Sequence, residues 1–325
     1  VLMRHPDPPT DFTTMEGRSG VWVFAGKHPA MRWNSTADIG DVRTATLLLT
    51  IEPGRSVEYE AHILFHEVFH LYSKPLHPTW RPNEIDRYSY PMDDIDNYRL
   101  LLVEEEALAR AMESDSDDVT ASWASKALAI RKKRMAKLAE EHRDFETALE
   151  LQEGTAVYMG RSALGTVHDT ERLRQERGPE GIRWRCYEVG AAMAVVLDRL
   201  HPMWKTDLDA HPETTFAELL GRALATRDIT PAVFNDEDLA ALESRAERAV
   251  ADLVTEKALL YDDFANRGKR VVVRLVDEEE ALGLVRFDPM AVEVLSRGEA
   301  LQAHLLVANH PRGELSVTNP RFVRR

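Results

Sequence analysis

The stretch Ala61-His62-Ile63-Leu64-Phe65-His66-Glu67-Val68-Phe69-His70-Leu71 decides how this chain is read. From Val57 to about Pro75, the spacing of Tyr59, Leu64, Phe65, Phe69 and Leu71 predicts a helix of several turns. Residues four apart on a helix lie one turn apart on one face, so His66 and His70 project together and can share an ion. Neutral imidazole nitrogens bind zinc at about 2.0–2.1 Å, a distance both side chains can meet at once. Glu67 can reach a water on that ion as a general base without being a ligand itself. The competing reading is an amphipathic helix carrying two surface histidines. The apolar flanks Ile63-Leu64-Phe65 and Val68-Phe69 oppose it: they predict a buried helix, where unpaired polar groups are costly. His62 is one turn before His66; a ligand role there would strain the geometry, so it is expected to support the ligands or the core.

A catalytic zinc site takes three protein ligands and keeps one position open. The expected third ligand is Glu153, in Glu150-Leu151-Gln152-Glu153-Gly154-Thr155-Ala156-Val157-Tyr158. The small residues that follow it let one helix approach another closely. The rival source is Glu104-Glu105-Glu106, where Glu104 and Glu105 interrupt the apolar stripe of Leu101, Leu108 and Met112. Glu150, on the Glu153 face, is a candidate to orient a ligand histidine through its second nitrogen, or else a solvated acid. Glu104 is a candidate for the same supporting role. Tyr187 suits an oxyanion donor, with an ordinary half-buried tyrosine as its alternative. Tyr158 lies about 140° round the helix from Glu153 and reads as packing. Cys186 reads as a small buried residue, and Arg131-Lys132-Lys133-Arg134 as the solvated face of a long helix.

His66-Glu67-Val-Phe-His70, then Glu153-Gly-Thr-Ala-Val-Tyr158, then Tyr187-Glu-Val-Gly190-Ala191 resembles the gluzincin metallopeptidases, particularly the aminopeptidase N family. There the order is HExxH, EGxxxY and YEKGA. The resemblance implies one zinc per chain on His66, His70 and Glu153, a catalytic base at Glu67, and an oxyanion-binding hydroxyl at Tyr187. It covers about residues 56–200 and implies a peptide or protein substrate. It also implies an edge strand before the metal helix that binds extended peptide, for which Thr44–Ile51 is the candidate. Two features depart from that family. Residues 71–152 form a longer gap than it has, so the helices from 97 to 149 read as an insertion, an arrangement like that of some bacterial gluzincin-like proteins. No GAMEN-type segment for a free amino terminus precedes His66.

Outside the motifs, the expected fold class is α+β. A β-rich segment (1–55) leads into a mostly helical zincin-like region (56–264), and a small β module (265–325) follows. The module rests on period-two patterns at Val271–Leu275, Leu284–Phe287, Leu301–Ala308 and Leu315–Val317. The net charge of −14 argues against nucleic-acid or anionic-membrane partners. A single cysteine excludes an internal disulfide and a Cys-rich zinc cluster. The longest apolar run, Ala191–Leu197, is too short to span a bilayer. Because the chain starts at Val1 rather than Met, the reading leans to an extracytoplasmic protein whose signal has been removed. The alternative function is a non-catalytic scaffold in which zinc, or a relic of its site, supports a protein-binding module. Retention of Glu67 opposes it, since a structural site has no use for a base.

Overall fold

The computed structural model describes residues 1–31, 33–49 and 56–266, and six short C-terminal strands. The fold is α+β with a helical core. At the N-terminus, β1 (Leu2–Met3), β2 (Thr13–Thr14) and β3 (Val21–Val23) form an antiparallel sheet in the order β1-β3-β2. β4 (Ser35–Ile39) and β5 (Val42–Thr46) pair as a hairpin, and Gly40 takes the left-handed conformation (φ 58°) its turn needs. The candidate edge strand at Thr44–Ile51 is therefore shifted: β5 ends at Thr46, whose hydroxyl lies 3.0 Å from the Trp33 and Ser35 carbonyls. Residues 50–55 lie outside the described residues.

The hairpin leads into α1 (Val57–Leu76). Ser56 caps this helix by accepting from the Tyr59 N–H at 3.1 Å, and Glu58 and Glu60 place negative charge in its first turn. One sequence expectation fails here. The buried side of α1 is polar (His66, Glu67, His70 and Ser73), whereas Leu64, Phe65 and Val68 are 39%, 43% and 45% exposed. The helix packs through its histidine face, at the edge of the helical core, and leaves its apolar row outside.

The remaining helices are α2 (Ile95–Glu113), α3 (Asp117–Met135), α4 (Glu140–Leu149), α5 (Thr155–Ala163), α6 (Glu171–Arg174), α7 (Ile182–Leu200), α8 (Trp204–Ala210), α9 (Phe216–Ala225) and α10 (Asp236–Asn266). A single π-helical turn, Glu150–Gly154, joins α4 to α5. The run Ala191–Leu197 is the buried centre of α7, packed by α2, α4, α5 and α9. Among the described residues no helix is long and apolar enough to cross a membrane.

The segment between the motifs is central to this packing. Arg131 and Arg134, expected on a solvated face, are buried, and only Lys132 and Lys133 between them face water. Arg131 bonds Glu104 at 2.7 Å and also Glu150; Arg134 bonds Glu104 at 3.2 Å and Glu146 at 2.7 Å. Burial of these charges is tolerated because each is paired. The network ties α2, α3, α4 and the π-turn together.

At the C-terminus, β6 (Gly283–Phe287), β9 (Leu305–His310) and β10 (Gly313–Thr318) form one antiparallel sheet, in the order β10-β9-β6. β7 (Val292–Ser296), β8 (Glu299–Gln302) and β11 (Phe322–Arg324) form another, in the order β11-β8-β7. The strand expected at Val271–Leu275 lies outside the described residues.

Candidate metal centre

One turn of α1 separates His66 from His70, and their Nε2 atoms lie 3.1 Å apart. Glu153 Oε2 lies 3.1 Å from His66 Nε2 and 3.2 Å from His70 Nε2. Ligand atoms of a tetrahedral zinc, with bonds of about 2.0–2.1 Å, stand about 3.3 Å apart, so this triangle fits such an ion after a shift of a few tenths of an ångström. All three side chains are buried, and together they form a donor set that could hold a metal. Burial alone would raise the Glu153 pKa, but the hydrogen bonds to His66 and His70 override it and hold the carboxyl well below the usual range. The site therefore presents an ionised oxygen.

Two close helix contacts bring Glu153 to this point. Gly154 packs on α7 at Gly190: a Cβ on Gly154 would stand 2.6 Å from Gly190 Cα. At the α1–α5 crossing, a Cβ on Gly160 would meet the His62 carbonyl at 2.8 Å. Small residues thus act as expected, although the helix that Gly154 meets is α7 and not α1. The π-turn adds width to the helix just where Glu153 leaves it. Such turns are rare and recur at functional sites.

The supporting roles expected for Glu150 and Glu104 are not found. Among the described residues their hydrogen-bond partners are the guanidiniums of Arg131 and Arg134, not His66 or His70. The wider turn rotates Glu150 away from Glu153, and His70 Nδ1 is buried with no partner among the described residues. Glu105, of the rival cluster, bonds Arg185 at 2.5 Å. His62 packs against Gly160 with its ring 6.4 Å from that of His66, outside the donor set. Burial, then the charges of Arg161, His66 and Arg172, pushes its pKa down to about 4, so the ring is neutral. A second buried cluster, Glu146, Glu150 and Cys186, already faces the two arginines.

Glu67 is buried beside the triangle and faces a cleft of about 790 Å³, a size that suits a small ligand or part of a peptide. Burial raises its carboxyl pKa; the His66 charge opposes this and the Glu153 charge adds to it. A carboxylate shifted toward neutrality is a better proton acceptor than an ordinary one. The Tyr187 ring stacks on His66, with centroids 6.3 Å apart and planes 22° apart. Burial, reinforced by the Glu153 charge, raises the phenol pKa against the opposing Arg183, so the hydroxyl stays protonated. Tyr158 is remote from the cleft: its hydroxyl donates to Asp198 at 2.6 Å, and its ring packs on Trp204.

Several cleft residues escaped the reading of the sequence. Arg183 Nη2 donates to the Tyr187 oxygen at 2.7 Å and lies 3.7 Å from Glu153 Oε1. Its place one turn before Tyr187 was the available signal. Trp184, 51% exposed, meets Tyr187 edge-on at 5.1 Å. Arg161, Arg177 and Glu188 line the far wall. On the hairpin side the cleft is bordered by Asn34 and Ser35 and by none of residues 44–49.

Compared with family models, curated proteins and solved structures, the chain matches none.

Proposed function

We propose that the protein is a zinc-dependent hydrolase of peptide bonds, with one zinc per chain on His66, His70 and Glu153. The observation that carries this reading is the convergence of two imidazole nitrogens and one carboxylate oxygen within 3.1–3.2 Å, with Glu67 beside them. A set of two histidines and one carboxylate leaves a fourth position open, as catalytic sites do and structural ones do not. When bound, zinc supplies a Lewis acid for the scissile carbonyl and makes water in the cleft more acidic. Glu67 accepts the proton of the attacking water and returns it to the departing amine nitrogen. Tyr187 donates its hydroxyl to the carbonyl oxygen as that atom gains negative charge. Arg183 donates to the same phenol oxygen and holds the ring in place, so the phenol's own proton, directed at the Glu153 carboxylate in the absence of substrate, is the one it can offer. The choice of a peptide rests on the three-motif resemblance to gluzincins; other amides or esters would use the same parts.

Metal analysis with a peptide-library digest tests the reading. The expected result is about one zinc per chain, lost in His66→Ala and His70→Ala, and cleavage that a chelator abolishes. Full zinc in both variants overturns the ligand assignment. A zinc-replete wild type that cleaves nothing overturns the enzyme in favour of a binding scaffold.

A further inference from the structure

On the far wall of the cleft two guanidiniums, those of Arg161 and Arg177, stand beside one carboxylate, that of Glu188. Arg161 pairs with Glu188: Nη2 donates to Oε1 at 2.8 Å, and Nη1 lies 2.7 Å from Oε2. Arg177 Nη2 lies 3.8 Å from the same carboxylate. Two guanidiniums therefore share one acid. The nearby Arg185 has its own acid in Glu105 at 2.5 Å, and Arg172 has Asp169 at 3.5 Å, although the Glu105 charge also reaches Arg177. The Arg161, Arg177 and Glu188 side chains are only 10–15% exposed, which keeps their charges poorly screened. Arg177 is also held in place: it donates to the Arg172 carbonyl and to Gln175 Oε1, each at 2.8 Å. A fixed, half-satisfied guanidinium at the wall of a cleft is built to receive a planar anion. His62 lies between this wall and His66, so wall and metal centre open into one cavity.

We propose that Arg161 and Arg177 form a carboxylate-binding subsite, so that the peptide cleaved at the metal centre carries a carboxylate close to its scissile bond. The carboxylate is an acidic side chain or the peptide's own C-terminus, which present the same chemistry to the wall. This inference rests on the peptidase reading above and deepens it by naming the substrate class.

Calorimetric titration of zinc-loaded Glu67→Gln, which keeps the cleft but does not consume peptide, tests the subsite. Four peptides of one sequence would be used: with glutamate or glutamine at a single position, and with a free or an amidated C-terminus. The carboxylate that the wall reads should improve affinity about 10- to 100-fold, the range for hydrogen bonds to charged groups. Dependence on the glutamate identifies a side chain, and dependence on the free terminus a C-terminal carboxylate. Adding Arg177→Gln should erase most of that preference, while Arg177→Lys should restore part of it. Arg172→Gln, at a half-exposed position whose backbone carbonyl still holds Arg177, should reduce the preference less. Equal binding of charged and neutral peptides overturns the subsite alone and leaves the hydrolase reading standing. A preference that survives Arg177→Gln in a folded protein also overturns it. Failure of every peptide to bind overturns subsite and peptidase reading together.

Discussion

Gly154 on the π-turn and Gly190 on α7 touch backbone to backbone: a Cβ on Gly190 would lie 2.9 Å from Gly154 Cα and 2.6 Å from the Glu150 carbonyl oxygen. Neither atom can yield as a flexible side chain would. The contact sets the distance between the helix that bears Glu153 and the one that bears Tyr187. Gly190→Ala is therefore expected to force the two apart and to cost about 1–3 kcal/mol or more. Thermal denaturation with zinc titration should show a less stable protein with weaker metal binding. An unchanged melting temperature would show that the two helices are not held at this distance.

Glu153, rather than the Glu104–Glu106 cluster, is the acid that reaches the histidines. Glu153→Gln should lose most of the zinc and most of the stabilisation zinc gives, which is about 2.7 kcal/mol when free metal is 100-fold above its dissociation constant. Glu105→Gln should keep its zinc, because Glu105 serves Arg185. Metal content and melting curves with and without zinc decide the matter, and the opposite pattern would make the cluster the ligand source.

Three buried carboxylates (Glu104, Glu146 and Glu150) face Arg131 and Arg134, so one negative charge is in surplus. Burial pushes Glu150 up to about 7 despite Arg131, helped by the charges of Glu146 and Glu104. Burial also keeps the neighbouring Cys186 a thiol. A carboxyl whose folded pKa lies above its unfolded value of 4.5 favours folding below that value, and the contribution is lost as pH rises to about 7. At about 1.4 kcal/mol per unit the effect is on the order of 3 kcal/mol. Glu150→Gln should flatten the fall in stability between about pH 5 and about pH 7. Denaturant titrations across that window check it, and equal slopes in the two proteins would contradict it.

These buried charges mark where the sequence stopped being legible. His66, Glu67 and His70 could be placed on one face because helical geometry is local. Glu153 could be named because an acid followed by Gly154 and Ala156 announces a close helix crossing. Arg131 and Arg134 lie in a helix without a clear apolar face, and their acidic partners sit on α2, α4 and the π-turn, so nothing local distinguished them from solvated lysines. The signal lay elsewhere, in acids and Arg185 that interrupt otherwise apolar helices. The exposed apolar row of α1 departs from expectation for a related reason: hydrophobic content suggests burial but does not say which side of a helix meets the core. The π-turn has no local sequence mark, and it carries Glu150 away from the face it was expected to share with Glu153.

Tyr187→Phe removes the hydroxyl but keeps the ring stacked on His66. Zinc content should be unchanged, with kcat falling by about 10²–10³ and KM nearly constant, as for loss of one oxyanion donor. Steady-state kinetics on a peptide from the library, with zinc measured on the same samples, check this. An unchanged kcat would leave the oxyanion to another donor and reduce Tyr187 to packing.

In the proposed mechanism Glu67 acts on water beside a metal it does not bind. The direct measurement is turnover and zinc content of Glu67→Gln beside wild type, on one peptide substrate. Zinc is expected near one per chain and the melting temperature unchanged, with kcat lowered by at least about 10²–10⁴, the range for loss of a general base. Wild-type turnover in a zinc-replete Glu67→Gln would contradict it.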